Sequence, residues 1–320
     1  MDINEFYQEW LTRSGFTEAS PMPGFGPAGK LYLAPKDTAH GYYWIYGEKD
    51  MFDIKIHDFY FYEDSFVSLD MPECLSITYY DSVSGEELAP YRRLTAGCIK
   101  SFYGGHETYK AIMHKNIPIR SVGIEVLPAY YEKYLRETYP DDYTPPHEAF
   151  RSIGQTLDFP EMSRLLKQVW EYEGEGIPAK LFYEGKVAEA VSLVYEYDKQ
   201  NQKGTGAKIS KQDMEALSNV TSYINDHFNA DLPLATLARI ACMGTTKLKS
   251  SFKQTYRCTI SEYIGQRRMS HAEMLLTSTE LAIDQIASAI GYSNAGRFAA
   301  AFKSNTGLFP AEYRKMAQRK

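Results

Sequence analysis

LATLARIACMGTTKLKSSFKQTYRCTISEYI, from Leu234, and IDQIASAIGYSNAGRFAAAFKSNTGLFPAEYR, from Ile283, are two versions of one segment in a chain of 320 residues. Ala238 falls on Ala287, Phe252-Lys253 on Phe302-Lys303, and Glu262-Tyr263 on Glu312-Tyr313. The offset grows from 49 to 50 across the middle, where the second copy carries one more residue. In the first copy Leu234, Leu237, Ala238 and Ala241 recur at helical spacing, and Pro233 stands where a helix can begin without losing a hydrogen bond. Gly244 and Thr245 break the pattern, and Leu248, Ser251, Phe252 and Tyr256 form the buried stripe of a second helix. In the second copy Ile283, Ile286, Ala287 and Ile290 form the first stripe, Gly291 permits a left-handed turn, and Phe298, Ala301 and Phe302 resume the pattern. The spacing predicts two helix-turn-helix units, at about 233–256 and 283–304.

The paired motifs, and above all GYSNAGRF, AAAFK, a glycine, a proline and EYR in the second copy, resemble the tandem DNA-binding domain of the AraC/XylS family of bacterial transcription regulators. The resemblance covers about 110 residues, from roughly 210 to 320. Within the family, TKLKSSFK followed by YIGQRRMSHAEMLL looks most like the branch of pyochelin-responsive regulators. The resemblance implies double-stranded promoter DNA and RNA polymerase as partners, and an N-terminal domain that answers to a small-molecule effector, with a siderophore as one candidate; the tyrosine-rich segments described below suit an aromatic one. Arg257 stands where Gly307 closes the second copy, so the first unit departs from the usual glycine cap.

Charge divides the chain the same way. From Ala207 onward 15 Lys and Arg face 9 Asp and Glu, a balance of +6, whereas residues 1–206 hold 20 against 32, a balance of −12. A basic module for phosphates joined to an acidic domain with another partner fits that split. Cys74, Cys98, Cys242 and Cys258 lie far apart without metal-ligand spacing, which points to a reducing, cytoplasmic setting without zinc or disulfides. No stretch approaches the length of apolar residues needed to cross a membrane, so no membrane partner is expected.

The expected architecture is α+β in two domains. A β-rich, cupin-like barrel with flanking helices occupies 1–198, a polar linker 199–212, and an all-α tandem helix-turn-helix domain 213–320. Phe52, Ile54 and Ile56 alternate with Asp53, Lys55 and His57, and Val122, Ile124 and Val126 with Ser121, Gly123 and Glu125, the pattern of half-buried strands. Further strands are expected at 41–46, 75–80, 98–103 and 109–114; the cupin-like label comes from the family. Met162, Leu165, Leu166, Val169 and Trp170 define one helix face. A second helix, about 178–197, presents Val187, Val191, Val194 and Tyr195, and this stripe is expected to form a homodimer seam, with covering the barrel as the other reading. Ser210 with Asp213 reads as the start of the first helix after the linker.

In a helix-turn-helix the second helix enters the major groove. With Leu248, Ser251 and Phe252 buried, Thr245, Thr246, Lys249, Ser250 and Lys253 point outward. Lys249, Thr246 and Ser250 suit base edges and Lys253 a phosphate. The second recognition helix offers Asn294, Arg297 and Lys303 beside Gly296, Ala299 and Ala300, so base discrimination is expected mainly from the first unit. Residues 262–276 read as a connecting helix, with one of Arg267 and Arg268 expected to hold phosphate and the other to pair with Glu273 or an acidic group of the second unit; Arg268 is counted among the DNA contacts.

Twenty-one of the 26 tyrosines precede the linker. Trp44, Tyr46, Tyr60 and Tyr62 are expected to line an effector pocket, because such rings combine apolar area with an orienting polar group. His40, His57, His106, His114 and His147 are scattered, and the HxH arrangement of metal-binding cupins is missing, so neither metal nor cofactor is expected. The sequence carries none of the common catalytic motifs, and the chain is read as an effector-controlled regulator, not an enzyme. The alternative is a DNA-binding module fused to an enzymatic N-terminal domain, like the methyl acceptors of DNA repair, which need a reactive cysteine.

Overall fold

A computed structural model describes residues 3–88, 91–106, 108–156, 159–202, 210–256 and 258–318. Contacts divide the chain into two compact units, Met1–Asn201 and Gln202–Lys320.

The N-terminal unit opens with α1 (Ile3–Arg13). The strands β1 (Thr17–Ala19), β2 (Lys30–Leu33), β3 (Ala39–Glu48), β4 (Phe52–Phe61), β5 (Ser65–Leu69) and β6 (Leu75–Ser82) follow. The next five strands are β7 (Gly85–Leu88), β8 (Tyr91–Leu94), β9 (Ile99–Tyr103), β10 (Tyr109–Met113) and β11 (Ile119–Val126). A π-helical turn, Ala129–Tyr134, leads into α2 (Leu135–Thr138) and α3 (His147–Ile153), and the short β12 (Gln155–Thr156) precedes α4 (Pro160–Glu171) and α5 (Gly176–Gln202). The strands form an eight-stranded sheet, ordered β1-β2-β3-β4-β11-β6-β9-β12, and a four-stranded sheet, ordered β5-β10-β7-β8. Neighbouring strands are antiparallel. The strands expected from alternation all form.

Alternation explains the strands, but both faces of the large sheet are covered. One face carries Trp44, Ile54, Ile56, Ile77, Val122 and Ile124, which share a core with Leu165, Leu166 and Val169 of α4 and Val187, Val191 and Val194 of α5. The other carries Tyr43, Ile45, Phe59 and Ile119, packed with Tyr7 and Leu11 of α1 and with Ala111 and Met113 of the small sheet. Strands expected to be half-buried are therefore buried on both sides. Their polar members Asp53 and Glu125 are 1% and 0% exposed. A buried charge must be paired, and Glu125 is: Lys55 forms an ion pair with it and Tyr7 donates to it at 3.1 Å.

The α5 stripe proposed as a dimer seam is core of its own unit. Val187 and Val194 are fully buried and Val191 is 5% exposed, because α5 lies on the large sheet together with α4. The helix also continues to Gln202, so residues 199–202, assigned to a linker, are helical. Residues 203–209 of that segment lie outside the described residues.

The C-terminal unit is all helical: α6 (Lys211–His227), α7 (Leu234–Ile240), α8 (Thr245–Tyr256), α9 (Ile260–Ser278), α10 (Ile283–Ala289), α11 (Ala295–Thr306) and α12 (Pro310–Ala317). The repeat is visible residue by residue. Both second helices have 12 residues, and their stripes Leu248-Phe252 and Phe298-Phe302 are fully buried. The repeated Glu-Tyr pair has a physical meaning. Glu262 and Glu312 accept the backbone N–H groups of Thr259 and Phe309 at 2.6 and 2.9 Å, closing the starts of α9 and α12, while Tyr313 packs against Phe302 and Tyr263 against Phe252. Ser210 accepts from the N–H of Asp213 at 3.0 Å and so begins α6 where the sequence places it.

Candidate nucleic-acid interface and internal cavity

In the first unit, burial of Leu248, Ser251 and Phe252 turns the opposite face of α8 outward, and Thr245, Thr246, Lys249, Ser250 and Lys253 are all exposed. No described residue forms an ion pair with Lys249 or Lys253. Lys247, beside them, is held at 2.8 Å by Asp213 of α6, and this lysine together with Ser210 keeps the Asp213 carboxyl below the usual range. The Ser250 hydroxyl donates to the Lys247 carbonyl at 3.0 Å, leaving its lone pairs outward.

In the second unit Asn294, Arg297 and Lys303 are exposed, as expected. Asn294 spends one polar atom on structure: its Oδ1 accepts the N–H of Arg297 at 3.0 Å as the N-cap of α11. Lys303 Nζ stands 4.1 Å from the ring centre of Phe309, a cation–π contact that fixes the ammonium at the helix end.

Arg268 departs from its assignment. Its guanidinium donates to the carbonyls of Phe228 at 2.7 Å, Ala230 at 2.9 Å and Gly291 at 3.3 Å, and lies over the Tyr292 ring. A planar fork of five donors is suited to several carbonyls at once. Arg268, on α9, therefore fastens the α6–α7 loop to the turn of the second unit. Carbonyl acceptors have no signature in sequence, which is why the role was not legible.

The turns differ at their left-handed residue. Gly291 takes φ +84°, and a Cβ there would meet the Asn229 carbonyl oxygen at 2.2 Å. The equivalent position in the first unit is Cys242, at φ +50°, so a non-glycine residue takes the left-handed conformation there. At the end of α11 Gly307 is left-handed as expected, and its N–H reaches the Lys303 carbonyl at 2.8 Å. Arg257, its counterpart, lies outside the described residues.

The N-terminal unit holds a cavity of about 120 Å³ between its two sheets, walled by rings that include Tyr7, Trp10, Tyr43, Phe59, Phe102 and Tyr109. Its polar lining includes Lys55, His57, Lys100 and Glu125. A second depression of about 270 Å³ shares Lys100, Phe102 and Tyr109 with it. Trp44, Tyr46, Tyr60 and Tyr62, the residues expected to line the pocket, do not line this cavity. Side chains alternate along a strand, and a shift of one residue moves a set to the other face. Trp44 and Tyr46 face α5, where Trp44 donates to the Gly26 carbonyl at 2.7 Å and both rings pack on Tyr183. Tyr60, one residue out of step with Phe59 and Phe61 on β4, packs edge-on against Tyr62, which follows the strand.

Within the cavity wall, His57 Nδ1 is 2.9 Å from Ser121 Oγ, and Nε2 has no partner among the described residues. Burial, with Lys55 adding to it, pulls the His57 pKa down to about 3, so the imidazole is neutral. Tyr43, its ring 4.5 Å from that of His57, is 2% exposed, and its hydroxyl has no partner among the described residues. Burial pushes Tyr43 well above the ordinary phenol range. The buried thiols move the same way, Cys98 up to about 12 and Cys74 well above its usual value, opposite to the shift a reactive thiolate requires. Among the described residues, Glu73, Glu132 and His147 bring one possible metal-ligand atom each within 4.8 Å of one another at the surface. Both glutamates are exposed, and Glu73 is oriented by the hydroxyls of Tyr103 and Tyr131 at 3.5 and 3.3 Å.

Two basic helix-turn-helix units joined by one helix define a DNA-binding class of domain. Residues 237–316 match the family model described as a helix-turn-helix domain. The bifunctional transcriptional activator/DNA repair enzyme AdaA of Bacillus subtilis is 36% identical over 106 residues, 33% of this chain and 50% of that protein. The arabinose operon regulatory protein of Escherichia coli is 27% identical over 99 residues, 31% of this chain and 34% of that one. The solved C-terminal domain of AraT, a response regulator from Geobacillus stearothermophilus, is 30% identical, with 36% of this chain and 92% of that chain covered at a TM-score of 0.32. The C-terminal unit contains a helix-turn-helix domain and is similar over that stretch to the arabinose operon regulatory protein. The matched stretch spans half or less of the length of these curated relatives. The likeness to AdaA covers the helix-turn-helix portion only.

Proposed function

We propose that the protein is a sequence-specific transcriptional regulator of the AraC/XylS type, controlled by a small molecule held in its N-terminal unit. The observation that carries the reading is the pairing of two helix-turn-helix units whose exposed faces hold Thr246, Lys249, Arg297 and Lys303, in a region with a balance of +6. Bases are read from α8, and α11 contributes phosphate contacts and register. The cavity between the sheets supports the effector half of the reading. At about 120 Å³ it is closer to a site for one aromatic ring than for an iron siderophore, since an apolar cavity of roughly 150 Å³ accepts benzene. The likeness to the pyochelin-responsive branch thus informs the DNA-binding half alone.

Binding of the full chain to its own upstream DNA, titrated with salt, tests the reading. Affinity for a promoter fragment is expected to exceed that for random duplex and to fall by orders of magnitude between about 50 and 200 mM salt. Equal affinity for both duplexes would show a non-specific architectural protein instead.

A further inference from the structure

We propose that the cavity between the two sheets binds a small, uncharged aromatic compound bearing one hydroxyl, the chemistry of phenol. The proposal rests on the effector reading above and adds the ligand's class. The size of the space and the rings around it call for a single flat ring. The charges on the wall then decide against an acid or an amine. Lys55 is already paired with Glu125, and also donates to Tyr7 at 2.7 Å, while Lys100 is paired with the buried Glu87. A carboxylate ligand would have to break one of these buried pairs to find a cation, and breaking a buried pair strands the partner charge. An ammonium ligand would find Glu125, one of whose oxygens lacks a partner, but the Lys55 ammonium already occupies that carboxylate and would repel it.

Beside that carboxylate oxygen, the wall leaves two neutral groups unsatisfied. His57 Nε2 and the Tyr43 hydroxyl are both buried on the cavity wall without partners among the described residues, on rings whose centres lie 4.5 Å apart. Buried polar groups without partners are few in folded proteins and mark places where a ligand or water completes the structure. One hydroxyl can satisfy both, accepting from Tyr43 and donating to the imidazole nitrogen, or accepting from that nitrogen in the other tautomer. His57 suits the task because it remains neutral at any physiological pH, so its partner need not carry charge. Tyr43 likewise keeps its proton.

Calorimetric titration of the full-length protein with phenol, benzene, benzoate and benzylamine tests the assignment. Phenol is expected to bind at least tenfold tighter than each of the other three. Tyr43→Phe should weaken phenol about tenfold and change benzene less than twofold. His57→Phe, checked for native circular dichroism, should do the same and guards against a folding defect in the first variant. Tighter binding of benzoate or benzylamine would overturn the neutral-hydroxyl assignment while leaving an effector site in place. Undiminished phenol binding by both variants would overturn the role of Tyr43 and His57. No binding by any of the four probes at millimolar concentration would overturn the proposal. The regulator reading fails on a different measurement, if promoter DNA is bound no better than random duplex.

Discussion

The two recognition helices, α8 and α11, share their buried faces and differ on their exposed ones. Leu248 and Phe252 do in the first what Phe298 and Phe302 do in the second, and all four are fully buried. Outside, α8 shows Thr246, Lys249, Ser250 and Lys253, whereas α11 shows Gly296, Ala300 and two separated cations, Arg297 and Lys303. The stripe fixes the fold of a unit, and the outer face decides what it reads. A duplicated unit can therefore keep its packing while one copy gives up hydrogen-bonding groups, and on that ground we propose that α8 is the helix that discriminates bases.

The strongest test strikes the turns, where the copies also differ. Gly291→Ala puts a methyl group against the backbone of Asn229, 2.2 Å from its carbonyl oxygen, at φ +84°. Backbone must move, and the expected cost is about 3 kcal/mol, read as a fall in the unfolding midpoint in urea. A loss under about 1 kcal/mol would mean that the contact between the α6–α7 loop and the second turn is loose.

Arg268→Gln removes the charged fork that holds the same junction. Hydrogen bonds to charged groups contribute roughly 1.5–3 kcal/mol each, less where water competes, and Arg268 is only half-buried. A loss of about 2 kcal/mol in stability is expected, with promoter affinity falling while the salt slope stays unchanged. A shallower slope would return Arg268 to the phosphate contacts and separate the two units.

The comparison of exposed faces is tested by Lys249→Ala against Lys303→Ala. The first should cost about 1–3 kcal/mol on the cognate site and relax preference at particular base pairs. The second should weaken cognate and random duplex alike, by less, since Lys303 is partly engaged with Phe309. Equal loss of discrimination in both would end the division of labour between α8 and α11.

These differences bear on what a sequence discloses. The C-terminal unit was legible almost throughout because helical periodicity, caps and duplication all report one buried stripe per helix. The N-terminal strands were legible for the same reason, but their pocket face was not. With both faces of the large sheet buried, Tyr43 and Trp44 are equally aromatic neighbours, and nothing in their types says which one turns toward the small sheet. Val191 and Val194 raise the same difficulty, since an apolar stripe looks alike whether it covers a sheet or another subunit. The polar half of the alternation held more information: Asp53, Lys55 and Glu125 on strands covered on both sides mark an interior that needs charge pairing.

The smallest expected effect concerns Cys242. A non-glycine residue in the left-handed region costs roughly 1–2 kcal/mol relative to the right-handed one, and Cys242, at φ +50°, is the first unit's counterpart of a glycine in the second. Cys242 is exposed, so its side chain offers little burial in return. Cys242→Gly is therefore expected to stabilise the protein, by about 0.5–1 kcal/mol once the extra chain entropy of glycine in the unfolded state is set against the relieved strain. Equilibrium unfolding in urea reads that shift directly. DNA affinity should not change, because the substitution alters the turn's energy and not the direction of α8. Destabilisation by Cys242→Gly would show that the thiol makes a contact worth more than the backbone strain, and the two turns would then differ in mechanism as well as in residue.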